Sequence, residues 1–76
     1  MQMISLFHFI GLDINEQADY VWQGTFLATR MEEQQNVLLY NLGEFYAELF
    51  YDVNKNEIVK IKGFRSRSHL IPYINL

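Results

Sequence analysis

EFYAELFYD, residues 44–52, decides the fold. Side chains along a strand alternate between two faces, so Phe45, Ala47, Leu49 and Tyr51 fall on one side and Glu44, Tyr46, Glu48, Phe50 and Asp52 on the other. The first set belongs in a core. The second is half aromatic and half acidic, and something must shield Tyr46 and Phe50 in a chain of 76 residues.

Working outward, Gly43-Glu44 fits a two-residue hairpin loop with glycine first. That loop opposes Leu42 to Phe45, Tyr40 to Ala47 and Leu38 to Leu49, whereas a slip of one residue sets Leu38 against Glu48 and mixes the faces. On the other side, the Asn54–Asn56 segment fits a three-residue loop with Asn56 in the left-handed region. Val53 then meets Glu57, Tyr51 meets Val59, Leu49 meets Ile61 and Ala47 meets Gly63. On the opposite face Phe50 meets Lys60, Glu48 meets Lys62 and Tyr46 meets Phe64. These pairs join an acidic strand to a basic one. TFLATRM (25–31) supplies a further alternating run.

Ahead of the strands, LDINEQADYVWQG (12–24) predicts a helix. Asp13 and Glu16 have the spacing of a capping box. Ile14, Ala18, Val21 and Trp22 form one apolar stripe, and Gly24 suits a left-handed end. SRSHLIPYINL (66–76) predicts a loop and a short helix capped by Ser68, with Pro72 near its start and Leu70, Ile71, Tyr73 and Ile74 folded back on the sheet. The expected architecture is a single two-layer α+β domain over residues 1–76: an N-terminal helix, a four-stranded antiparallel meander and a short C-terminal helix, both helices on one face. Residues 1–12 form an apolar N-terminal extension, strand or helix.

Composition narrows the chemistry. One small core gives limited stability without a staple such as a disulfide, a metal or a second subunit. There is no cysteine, and His8 and His69 sit at opposite ends. Disulfides and thiolate zinc sites are therefore excluded, no metal or cofactor is expected, and a second subunit remains. Lack of cysteine fits a reducing cytoplasm. The apolar start is too short to span a bilayer and has no basic leader region, so neither a membrane nor an export role is expected. Net charge is −3, but residues 1–54 hold eight acids against one base, Arg30, while residues 55–76 hold five bases against one acid.

Catalytic patterns are missing. Asp52, Asn54 and Asn56 mimic the start of a calcium loop, but Glu57 stands where glycine is needed and Gly63 where glutamate is needed. Each glycine is isolated, which rules out a phosphate loop. Ser66 and Ser68 beside His69 read as a surface loop rather than a nucleophile and base. Glu44, Glu48 and Asp52 share a strand face at steps of about 6.6 Å, but opposed lysines make it a salt-bridged surface. Arg30 is expected to pair with an acid such as Glu32.

Over residues 16–74 the chain resembles a group of small bacterial proteins of unknown function. The resemblance rests on EQADYVWQGTFLATR, LYNLGEFYAELFYD and NEIVKIKGFRSRSHLIPYI. The matching positions are Trp22, Gly24, Arg30, Phe45, Tyr46, Glu48, Tyr51, Phe64, Arg65, Ser66, Leu70 and Tyr73. It implies a fold and carries no activity.

The expected function is a non-catalytic protein-interaction or assembly module, a homodimer joined through the second sheet face. Leu39, Tyr46, Phe50, Ile58 and Phe64 are the expected interface, with Val37 beside them. A contiguous apolar patch of that kind calls for cover, from the chain's own apolar N-terminal run or from another chain, and a twofold copy is the expected one. The alternative is a small regulatory protein binding an anionic ligand or nucleic acid at Arg65, Arg67 and His69, with Phe64 and Tyr46 to stack a base. An acidic chain, pI about 5.1, argues against nucleic acid.

Overall fold

The capping box at Asp13 forms as the spacing requires. The Glu16 amide donates to Asp13 and the Asp13 amide to Glu16. This starts α2 (Ile14–Gln23), which buries Ala18 and Val21. Gly24 follows in an extended rather than a left-handed conformation. Its requirement is space: a Cβ there would lie 2.8 Å from the Asn41 carbonyl oxygen. The computed structural model describes residues 4–74. The first three residues of the expected N-terminal extension lie outside them. The rest of that extension contains a five-residue helix, α1 (Leu6–Ile10), whose start is capped by the Ser5 hydroxyl accepting from the His8 amide.

Four antiparallel strands follow in the order β1 (Thr25–Glu32), β2 (Gln35–Asn41), β3 (Tyr46–Asp52) and β4 (Glu57–Phe64). The β2–β3 register is the expected one, with Tyr40 opposite Ala47 and Leu38 opposite Leu49. Gly43 has a φ of 105°, and the Leu42 amide donates to the Phe45 carbonyl at 2.9 Å. The β3–β4 register also holds from Phe50/Lys60 through Tyr46/Phe64. Nearer the turn it departs. Asp52 pairs with Glu57, the loop has four residues, and a bulge sets Tyr51 opposite Ile58. Asn56 takes the expected positive φ, 56°. A bulge inserts one residue and redirects the side chains beyond it. Ile58 therefore leaves the second face, where it was expected, and packs against the core.

A comparable bulge interrupts β1. Phe26 opposes Tyr40 and Ala28 opposes Leu39, leaving Leu27 as the extra residue. Phe26, Thr29 and Met31 thereby share the face of Leu38 and Tyr40, while Ala28, Arg30 and Glu32 share that of Val37 and Leu39.

The first face carries the main core. Ile4, Phe9, Val21, Leu42, Phe45, Ala47 and Leu49 form one buried cluster beneath α1 and α2. Phe9 and Phe45 meet at 5.1 Å between ring centres. Gly63 permits this approach, because a Cβ would lie 2.8 Å from Leu6 and 3.1 Å from Phe9.

The α+β meander with flanking helices is as expected, but the C-terminal segment takes the opposite side. A 3-10 turn (Arg67–Leu70) leads into α3 (Ile71–Ile74), which meets β1. Tyr73 reaches Glu48 on the second face. The cap is Ser66, not Ser68, and Ile71 and Ile74 remain exposed. The reason is local. Gly63 is already filled against Leu6 and Phe9, and the second face offers both apolar surface and a carboxylate for the Tyr73 hydroxyl.

Candidate functional site

The second face answers the question set by Tyr46 and Phe50. Phe50 is 2% exposed, and Val37, Leu39 and Phe64 are also buried. The C-terminal segment lies over this side, with the His69 ring 4.8 Å from that of Phe64. Tyr46 is half-buried and stacks on Phe64 at 5.7 Å. Four of the five expected interface residues, Leu39, Tyr46, Phe50 and Phe64, thus share this face, and Ile58 does not. Within the chain itself they are not an open patch. The cover comes from residues near the C-terminus, which the strand pattern did not indicate.

At the centre lies Glu48, 2% exposed. Its Oε2 accepts from the Tyr73 hydroxyl at 2.6 Å and from Arg30 Nη2 at 3.2 Å. Arg30 Nη1 donates to Glu32 at 2.7 Å, and the guanidinium sits 5.4 Å from the Tyr73 ring centre. Glu32 is the partner expected for Arg30; Glu48 and Tyr73 are additions. The resemblance pattern contains Arg30, Glu48 and Tyr73 but gave no reason to bring them together. Lys62 opposes Glu48 in the register but makes no ion pair with it. Lys60 rests over the Phe50 ring at 4.4 Å.

Electrostatics follow from these contacts. Burial opposes the Arg30 charge, but its contacts with Glu32, Tyr73 and Glu48 outweigh that and raise its pKa. The Arg30 hydrogen bond holds Glu32 below the usual carboxylate value. Burial, then the bond to Glu48, raises the Tyr73 phenol. Each charged group here has a partner, although the buried Arg30 Nε has none. The cluster is a hydrogen-bonded network that ties α3 to β1 and β3.

The other expected site lies in the segment that follows β4. Arg65, Arg67 and His69 are all exposed, and Ser66 and Ser68 bond to each other at 2.7 Å. Lys60, Lys62, Arg65 and Arg67 form a basic run with no carboxylate partner among the described residues. No group of three or more potential His, Asp or Glu metal ligands occurs among the described residues, and no described helix is long and apolar enough to cross a membrane.

Two hollows open on the surface. One, about 570 Å³, is lined by Phe7, His8, Ile10, Gly11 and Leu12, mostly apolar. The other, about 560 Å³, is lined by Glu33, Gln34, Gln35 and Asp52. Neither assembles a nucleophile with a base.

A feature absent from the sequence reading lies where α2 meets the sheet. Trp22 and Phe26 stand edge-on to Tyr40, at 6.0 and 5.6 Å between ring centres. Trp22 is 54% exposed, Phe26 52% and Met31 64%. Trp22 was assigned to the buried stripe of α2. Its position at the end of the helix takes it past the edge of the covered core. Compared with family models, curated proteins and solved structures, the chain gives no match.

Proposed function

We propose that the chain is a non-catalytic protein-interaction module that assembles as a homodimer in a reducing cytoplasm. The observation that carries this reading is the set of exposed large side chains along β1 and at the end of α2, Trp22, Phe26, Leu27 and Met31. Contiguous apolar surface on a small domain marks a place where another molecule sits. The charged groups with built geometry are engaged in the Arg30–Glu48–Tyr73 network, which serves packing. The lack of cysteine fits the compartment. Relative to the expected interface, the contact surface moves from the Phe50 side to the Trp22 side.

Light scattering over a concentration series tests the assembly. Twice the 9.1 kDa chain mass at micromolar concentration is the expected result. A single-chain mass at high micromolar concentration defeats the reading.

The unpartnered basic run favours a second reading, in which Arg65, Arg67 and His69 bind an anion or a nucleic-acid strand. Titration with an oligonucleotide, followed by NMR, then shifts residues 64–69. Unshifted signals there remove it.

A further inference from the structure

The sheet has two edges, and they differ. β4 carries Lys60 and Lys62; α1 meets β4 and α3 meets β1, so a short helix adjoins each edge strand and the difference lies in the strands themselves. Lysines on an edge discourage pairing with another chain. β1, TFLATRME, contains neither lysine nor proline over eight residues. Its one irregularity, the bulge at Leu27, leaves Ala28–Glu32 as a regular ladder. Its two charges, Arg30 and Glu32, neutralise each other at 2.7 Å. The row of backbone groups facing away from β2 is thus neither charged nor interrupted along that stretch.

The flanking surface is apolar. Phe26, Leu27 and Met31 are exposed along β1, and the exposed Trp22 shares the Tyr40 ring with Phe26 at one end of it. Aromatic side chains bury roughly 150–250 Å² each. Trp22 and Phe26, near half exposure, therefore present on the order of 200 Å², to which Leu27 and Met31 add, against roughly 800 Å² per partner in a standard interface. Backbone pairing and rim contacts supply the remainder.

We propose that β1 pairs antiparallel with β1 of a second copy about a twofold axis, joining two four-stranded sheets into one of eight strands. Trp22 and Phe26 of each copy flank the seam. This rests on the homodimer reading and gives it a location. A second copy fits because antiparallel self-pairing is isologous: the unpaired amides and carbonyls of one edge meet those of the other. The locally neutral edge lets two chains of net charge −3 approach. A register centred on Thr29 sets threonine against threonine and Ala28 against Arg30 of the second copy. It avoids like charges directly opposite each other.

The chain has no cysteine, so single-cysteine variants report only contacts between copies. Thr29→Cys is expected to cross-link under mild oxidation, since directly opposed strand residues lie about 4.5–5.5 Å apart between Cα atoms, within disulfide reach. Spin labels on Lys62→Cys are expected near 34 Å, roughly seven strand spacings of about 4.8 Å. Phe26→Glu is expected to lose the dimer while keeping the native circular dichroism spectrum. A monomeric wild-type chain removes the homodimer reading itself. A dimer with no Thr29→Cys cross-link and a Lys62 label distance far from 34 Å keeps the dimer and overturns the edge pairing.

Discussion

Glu48 Oε2 receives two hydrogen bonds, from Arg30 and from Tyr73, in a position almost closed to water. Glu48→Ala strands Arg30, whose side chain is only 20% exposed. Breaking a buried pair from one side costs about 3–5 kcal/mol, and the remaining Glu32 contact puts the expected loss near the lower figure. Tyr73→Phe removes one hydrogen bond to a charged group, about 1.5–3 kcal/mol, with partial exposure favouring the smaller value. Urea melts of the two variants check this order, and equal losses contradict it. Titration gives a separate readout. Because the Tyr73 pKa is raised above 10.0, the folded state holds its proton more tightly than the unfolded. The linked stability is complete below that pH and is lost as pH rises through the folded value. Phenolate absorbance of the native protein is expected to show a late-ionising step. Tyr73→Phe removes that step. Glu32 acts in the opposite sense: its lowered pKa gives stability that is present above about 4.5 and lost as pH falls. Its exposed position keeps the contribution small. Phe50→Glu, placed at an open interface by the alternation pattern, is expected to unfold the chain because Phe50 is buried within it.

At the level of elements, local rules carried far. The capping box of α2, the glycine-first loop at Gly43 and the positive φ of Asn56 are properties of a few neighbouring residues, so the sequence exposes them directly. The central registers follow from apolar pairing across those turns. The bulges at Leu27 and Val59 do not, because neither carries the glycine that marks one class of bulge in a sequence. The second is why Ile58 changed face. The expected Glu48–Lys62 ion pair failed for a related reason: the Leu27 bulge leaves Arg30 on the face of Glu48, and Arg30 takes the carboxylate. Gly63 tests the helix–sheet contact. Gly63→Ala thrusts a methyl group against Leu6 and Phe9, and overpacking of this kind costs about 1–3 kcal/mol. A lowered denaturation midpoint with loss of near-ultraviolet aromatic signal is the expected outcome. An unchanged midpoint shows that α1 is free to shift.

For the whole molecule, the two sheet faces are sheltered from opposite ends of the sequence. α1 and α2 cover the Leu49 side, and the segment after β4 covers the Phe50 side. Alternation showed that both faces need cover but not which end supplies it, since Leu70 and Tyr73 lie in a short element with no long apolar stripe. Deleting residues 67–76 is expected to expose Val37, Leu39, Phe50 and Phe64, strengthen binding of a hydrophobic dye and promote aggregation. A truncated chain that stays dye-negative and monodisperse shows that the segment is dispensable as cover. The candidate interface was the least legible part. Trp22 and Phe26 come together on Tyr40 only when the bulged β1 is set beside the end of α2.

The extra residues in β1 and β4 carry a consequence for length variation. Omitting Leu27 brings Phe26 and Ala28 together as consecutive partners of Tyr40 and Leu39, and omitting Val59 does the same for Ile58 and Lys60 opposite Tyr51 and Phe50. Shortening by a single amino acid, ordinarily ruinous inside a sheet, would at these two points leave each remaining neighbour in step. Relatives one residue shorter should carry their gaps there.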